Sequence, residues 1–182
     1  MDFWLHCIEY QYGSDWMLMT KRLIMVKPDL KYADELFDIH SDLIATQFTP
    51  LTRHLTIEDT NQMIRNWMRY WDENHYGYFI FIDRCNGKVL GSGGAMKKAY
   101  FDDTFLNIYY RIRPSYTGKG LAYEAMNKVI NWLKSNINDK SKFIIRTDKN
   151  NVASIKLAKK LNFQYRSTRD NHSNYEDIFY IK

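Results

Sequence analysis

The residues best suited to chemistry lie in one run, Arg111-Ile112-Arg113-Pro114-Ser115-Tyr116-Thr117-Gly118-Lys119-Gly120-Leu121-Ala122-Tyr123-Glu124-Ala125. Apolar alternation up to Ile112 reads as a strand, and the stripe that begins at Ala122 reads as a helix. Gly118 and Gly120 in the short joining loop allow a tight turn and close approach to a ligand. The first N–H groups of a helix lack internal partners, and the helix dipole makes that end positive. Such a loop suits a diphosphate, or it is simply a tight strand-to-helix turn. Two other phosphate loops are excluded. A Walker A loop needs a spacing that neither Gly118-Lys119-Gly120 nor Gly91 to Lys98 supplies, and a dinucleotide fingerprint needs Gly or Ala where Tyr123 stands.

A second group follows at Asn151-Val152-Ala153-Ser154. Asn151 has the residue type of a helix N-cap, and Ser154 falls in the first turn that it would cap. Acids that could accept a proton are Glu124 beside the loop and the pair Asp102-Asp103, which also reads as a solvated turn. The five histidines show no ligand spacing, so no metal site is expected.

The elements that must hold these groups follow from patterning. Arg22 to Lys27 reads as a strand stopped by Pro28, and Ala33, Leu36, Phe37 and His40 recur at helical spacing. Thr56 with Asp59 forms a capping start for a helix carrying Ile57, Ile64, Trp67, Met68 and Trp71. Residues 46 to 54, with Pro50, read as a loop or broken helix. Tyr78 to Ile82 is a strand, Asn86-Gly87 predicts a type I′ hairpin turn, and Val89 to Met96 is its partner, where three glycines suggest a bulge or close backbone packing. Phe105 to Arg113 completes the meander. A long helix, the strand Lys142 to Thr147, a helix from Asn151 to Leu161, and two short strands, Phe163 to Ser167 and Asp177 to Ile181, close the chain. The fold class is α+β (mixed α/β), an antiparallel meander feeding a βαβ unit.

In this order the motifs resemble the GNAT acetyltransferase superfamily, and most closely the branch that includes acetyltransferases of ribosomal-protein N-termini. The resemblance covers about residues 20 to 181. It rests on the Gly-Lys-Gly-Leu-Ala loop with Glu124-Ala125, on Thr20 to Leu23 with Asp34 to Phe37, and on Asn151 to Ser154 followed by Leu161-Asn162-Phe163. It implies an acyl-CoA N-acyltransferase fold, a central mostly antiparallel sheet flanked by helices. It further implies transfer of acetyl from acetyl-CoA (coenzyme A) to a primary amine by direct attack on the thioester. The backbone from Ser115 through Tyr116, Thr117, Gly118, Lys119 and Gly120 to Leu121 and Ala122 would hold the pyrophosphate. Tyr110, Arg111 and Ile112 would splay from the neighbouring strand along the pantetheine arm, with a main-chain N–H polarising the thioester carbonyl. Asn151 and Ser154 would contact the cofactor, and Ser154 would protonate the departing thiolate. Four positions depart from the pattern: Ser115 replaces Gln or Arg, Asn162 replaces Gly, and Arg166 and Asn107 stand where acids are common. Ser154, Glu124 and Asp103 are therefore the catalytic candidates, with Glu124 and Asp103 as candidate bases.

Bulk composition agrees with a globular domain: 182 residues, 45% hydrophobic and 26% charged, with a net charge of +5. Nine basic residues against Asp139 and Asp148 between Lys128 and Lys160 would attract cofactor phosphates or simply be solvated. Two cysteines without metal or redox spacing, and no signal-peptide pattern, point to a cytoplasmic protein. Residues 1–19 read as an N-terminal extension, acidic and aromatic up to Trp16, and 20–182 as the domain. The expected partner is an amine acceptor, a protein N-terminus or a small-molecule amine. Its walls would come from the early helices, residues 46 to 54 and the closing strands, with Phe48, Trp67, Trp71, Tyr165 and Tyr175. No membrane and no nucleic acid are expected, and there is room for a homodimer. The competing readings are an acetyl-CoA-binding module without turnover and a ribosome- or RNA-associated protein.

Overall fold

The structure, a computed structural model, describes residues 17–167 and 177–182. Its elements in chain order are β1 (Leu18–Met19), β2 (Leu23–Val26), α1 (Ala33–His40), α2 (Ile57–Asn74), β3 (Tyr78–Asp83), β4 (Val89–Tyr100), β5 (Asp103–Ile112), α3 (Leu121–Asn136), β6 (Phe143–Asp148), α4 (Val152–Lys160), β7 (Gln164–Tyr165) and β8 (Asp177–Ile181). The strands form one sheet in the order β1-β2-β3-β4-β5-β6-β8-β7. Every pairing is antiparallel except β5 with β6. This is the expected mixed α+β layout, a mostly antiparallel sheet flanked by helices.

Both sheet faces are covered, so the inner strands are apolar on both sides. On one face Phe79, Phe81, Leu106, Ile108 and Ile145 pack with Val129 of α3 and Leu157 of α4. On the other, Ile80 and Ile82 pack with Leu36 and Ile39 of α1 and Ile64 of α2. The helix stripes are largely those read from the sequence, with shifts in α1 and α2: in α1 Ile39 rather than Phe37 is buried. Ile57 and Met68 stay largely exposed, and Thr60 takes a fully buried place in α2. The capping box forms: Thr56 Oγ1 accepts from Asp59 N–H, and Asp59 Oδ2 accepts from Thr56 N–H.

Two local expectations are adjusted. The β3–β4 connection is not a two-residue type I′ turn, because only Gly87 of the pair has positive φ (73°). Asp83 O accepts from Gly87 N–H at 2.9 Å, which closes a wider turn, and Asp83 and Asn86 side chains cap further N–H groups. Leu18 and Met19 pair with Met25 and Ile24 at the sheet edge, so the last residues of the expected extension join the sheet, whereas residues 1–16 lie outside the described part. The closing strands pair as expected, and β8 additionally joins β6.

The glycines of β4 have a packing reason. The register slips between Phe81 and Ile82, a bulge, and a Cβ on Gly91 would stand 2.1 Å from Arg111 O. Close approach of β4 to β5 at this level positions the site.

Candidate active site

The β5–β6 ladder stops after two residue pairs, Leu106 with Phe143 and Asn107 with Ile144. Beyond it β5 runs on with β4 to Ile112, and β6 runs on with β8 to Asp148. The two strands therefore part, leaving a gap in the middle of the sheet. Alternation decides which backbone groups face it. Leu106 N–H crosses to Lys142 O on the β6 side, whereas Arg113 N–H goes to Leu90 O in β4. Even-numbered residues of β5 thus turn their N–H and C=O toward β6, and Ile108, Tyr110 and Ile112 present theirs to the gap. Arg111 is placed differently from the expectation: its backbone faces β4, and its side chain leaves on the α1/α2 face.

At one end of the gap lies the glycine loop. Pro114–Tyr116 makes a single 3-10 turn, closed by Thr117 N–H to Pro114 O at 3.1 Å. Gly118 and Gly120 then take φ of 74° and 77°, left-handed values that favour glycine, and α3 starts at Leu121. Among the described residues the N–H groups of Gly118, Lys119 and Gly120 have no hydrogen-bond partner, and those of the first turn of α3 follow in line. Lys119 Nζ lies 4.5 Å over the Tyr116 ring and Lys160 Nζ 4.2 Å over the Tyr123 ring, so two cations border the loop. These groups fit the pyrophosphate of coenzyme A.

Glu124 belongs to the scaffold of this loop. Its carboxylate accepts from Arg22 N–H (2.8 Å) and Arg22 Nε–H (2.7 Å), while Arg22 Nη1 donates to Lys119 O. Partial burial opposes ionisation, but hydrogen bonds from Thr20 and Arg22 outweigh it and hold the carboxyl below its usual range. Glu124 does not reach the cavity described next. Neither does Asp103, which is exposed at the far end of β5 and accepts its neighbour's Thr104 N–H.

A cavity of about 360 Å³ opens on the gap. Its walls include residues 48 to 52, Tyr109, Tyr110 and Arg111 of β5, Ile145 to Asp148 of β6, and Asn151 and Ser154. Here Tyr110 Oη and Ser154 Oγ are 2.7 Å apart. Asn151 caps α4 by accepting Ser154 N–H at 3.1 Å, which fixes the serine in the first turn. Burial raises the Tyr110 phenol to about 12, partly offset by Ser154. Of the expected wall aromatics, Phe48 lines the cavity. Trp67 and Trp71 are core residues, Tyr165 is exposed on β7 and not part of this lining, and Tyr175 lies outside the described residues.

Two carboxylates were not legible as site residues, and Arg111, expected along the pantetheine arm, has other surroundings. Among the described residues Asp148 and Asp177 are the cavity's carboxylates, and Asp177 is paired with Arg146 Nε at 2.6 Å. Arg111 is buried, with Nη1 3.0 Å from His40 Nδ1 and Nη2 donating to Thr49 Oγ1 (2.8 Å) and Thr52 Oγ1 (3.2 Å). Since a guanidinium only donates, His40 Nδ1 is the acceptor and its proton sits on Nε2. Burial first, then Arg111 and His54, push His40 down to about 2. The His40 and His54 rings stack at 4.8 Å.

Comparison with known proteins agrees with this geometry. The family described as the acetyltransferase (GNAT) domain matches residues 22–164. An uncharacterised N-acetyltransferase, p20, of Bacillus licheniformis is 27% identical over 147 residues, 81% of this chain and 82% of that protein. A ribosomal-protein alanine acetyltransferase from Vibrio fischeri superposes with a TM-score of 0.72 at 18% identity, covering 92% of this chain and 96% of the other. A ribosomal alpha-N-protein acetyltransferase solved with coenzyme A superposes with a TM-score of 0.70 at 16% identity, over 92% and 97%. The parted central strands, the glycine loop and the match over most of the chain lead to one conclusion: this protein belongs to the GNAT acetyltransferase family.

Proposed function

We propose that this protein is a cytoplasmic enzyme that transfers the acetyl group of acetyl-CoA to a primary amine by direct attack on the thioester. One observation carries the reading: β5 and β6 part after Asn107, and the Tyr110–Ser154 hydroxyl pair stands at the gap. Bound acetyl-CoA would supply an activated thioester. Loop N–H groups from Gly118 to Ala122 would hold its pyrophosphate, and the β5 edge from Ile108 to Ile112 would bond its pantetheine arm. Tyr110 N–H would donate to the carbonyl oxygen as charge grows there.

As the C–N bond forms and the C–S bond breaks, the sulfur would take a proton from the Tyr110–Ser154 pair, and the nitrogen, which sheds its remaining extra proton on becoming the amide, would return one to that pair through water. With the phenol raised to about 12, that pair keeps its protons throughout the neutral range. The acceptor arrives as an ammonium and must lose a proton before it can attack. Asp148 lines the cavity and has no ion-pair partner among the described residues, so it is the proposed proton acceptor, directly or through water. It replaces Glu124 and Asp103, which lie elsewhere.

A thermal-shift titration with acetyl-CoA, with NADH and ATP as controls, tests the donor. At a hundredfold excess over Kd, binding adds about 2.7 kcal/mol, a rise of about 5–10 °C for a chain of this length. Thiol release is then measured with a panel of amines. No shift at millimolar acetyl-CoA would overturn the proposal, and a shift without thiol release from any amine would leave a binding module.

A further inference from the structure

We propose that Arg111 forms an anion subsite for the acceptor, so that the preferred amine carries a carboxylate or phosphate. This rests on the acetyl-transfer reading above and concerns the other half of the same site. Arg111 retains 8% of its exposure, and its charge is permanent. A buried charge is costly unless an opposite charge meets it. Among the described residues no carboxylate lies within ion-pairing distance of Arg111. Its partners are two threonine hydroxyls, a neutral imidazole and the face of the Tyr109 ring, 6.0 Å away. These orient the guanidinium without neutralising it. His40 adds no charge of its own, because its Nδ1 accepts from the guanidinium, and burial and Arg111 disfavour its protonated form.

Position decides which anion would fill the place. Arg111 borders the cavity, and its side chain lies on the α1/α2 face with His40, Thr49 and Thr52. The glycine loop that fits the cofactor phosphates is tied instead to the start of β2 and to α3. Lys98 and Arg146 also border the cavity, against Asp148 and Asp177, and Arg146 is taken by Asp177. Among the described residues Lys98 and Arg111 therefore leave the wall positive despite Asp148. A polycationic amine would be repelled there, whereas an amine carrying an anion would be drawn in and held.

The test uses paired probes that differ only in the anion: amino acids against the amines left by their decarboxylation, and phosphoethanolamine against ethanolamine. With acetyl-CoA saturating, kcat/KM for the anionic member of one pair is expected to exceed its partner by about 10- to 100-fold, the range of a charge-assisted hydrogen bond. The pair that shows it separates carboxylate from phosphate. In Arg111→Gln the ratio should fall to near one while the acetyl-CoA midpoint shift is retained. Should that variant fail to fold, Arg111→Lys keeps the charge but loses the guanidinium geometry, and should retain part of the ratio. Wild-type protein that acetylates neutral or polycationic amines as well as or better than anionic ones would overturn the subsite. So would an Arg111→Gln variant with an unchanged ratio. Loss of acetyl-CoA binding in the wild type would instead sink the underlying reading, a separate outcome.

Discussion

Tyr110 and Ser154 are 44 positions apart in sequence yet share a 2.7 Å hydrogen bond at the strand gap. If they hand a proton to sulfur, each should matter to the chemical step more than to binding. Tyr110→Phe and Ser154→Ala are expected to lower kcat by about 10²-fold, the low end for general-acid catalysis, with little change in acetyl-CoA affinity. Steady-state kinetics beside a binding titration checks this, and an equal loss in both would assign the pair to positioning. Asp148→Asn should also lower kcat, and raising the pH should partly restore it, because more of the amine then arrives already neutral. Ser154 was legible as a candidate because it stands in the first turn of a recognisable capped helix. Asp148 was not, since an acid at a strand end among lysines looks like any solvated turn. Arg111 was legible only as part of the strand end. Its partners His40, Thr49 and Thr52 lie 71, 62 and 59 positions away, and no local pattern reports such a meeting. A charge inside a central strand was the available signal.

At the scale of elements, α4 links stability to catalysis through its cap. Asn151 accepts Ser154 N–H, so Asn151→Ala should destabilise the protein by about 1 kcal/mol and also loosen the serine. Denaturant unfolding and kinetics of Asn151→Ala and Asn151→Asp separate the two effects. The aspartate should recover stability and most of kcat, and recovery of stability alone would mean that Asn151 itself touches the substrates. The elements were readable because each carried a local signal. The Thr56 box starts α2, Pro28 and Pro114 end strands, and Asn162 takes the left-handed conformation (φ 62°) where glycine is usual. The Asn86-Gly87 turn was misjudged because Asp83 and Asn86 side chains compete for the turn's N–H groups and widen it. The place where β5 leaves β6 has no residue signature. It shows only in the pairing, where β5 continues with β4 and β6 with β8, a strand 29 residues further on.

For the molecule as a whole, the two sheet faces are unequal in what they bury: one is almost wholly apolar, while the other holds Arg111, His40 and His54. That asymmetry should make stability depend on pH in the mildly acidic range. His40 in the folded protein is pushed down to about 2, whereas in the unfolded chain it titrates near 6.5. Between these values the unfolded state binds a proton that the folded state does not. Stability is therefore fully present above about pH 6.5 and falls as pH is lowered. The penalty from His40 alone grows from about 0.4 kcal/mol at pH 6.5 to about 1.4 kcal/mol at pH 5.5, and the midpoint should drop by about 2–4 °C over that interval. His54, also lowered by burial and then by Arg111 but half exposed, acts in the same direction. Carboxylates held below their usual range, such as Glu124, weaken folding only at lower pH, so the window from 6.5 to 5.5 reports on the histidines. His40→Gln keeps an acceptor for Arg111 and has no proton to gain. Its stability should change less steeply with pH across this window, whatever its absolute value. Parallel curves for wild type and His40→Gln would mean that His40 takes up its proton in the folded state. The guanidinium would then have lost that acceptor and would be held by Thr49 and Thr52 alone.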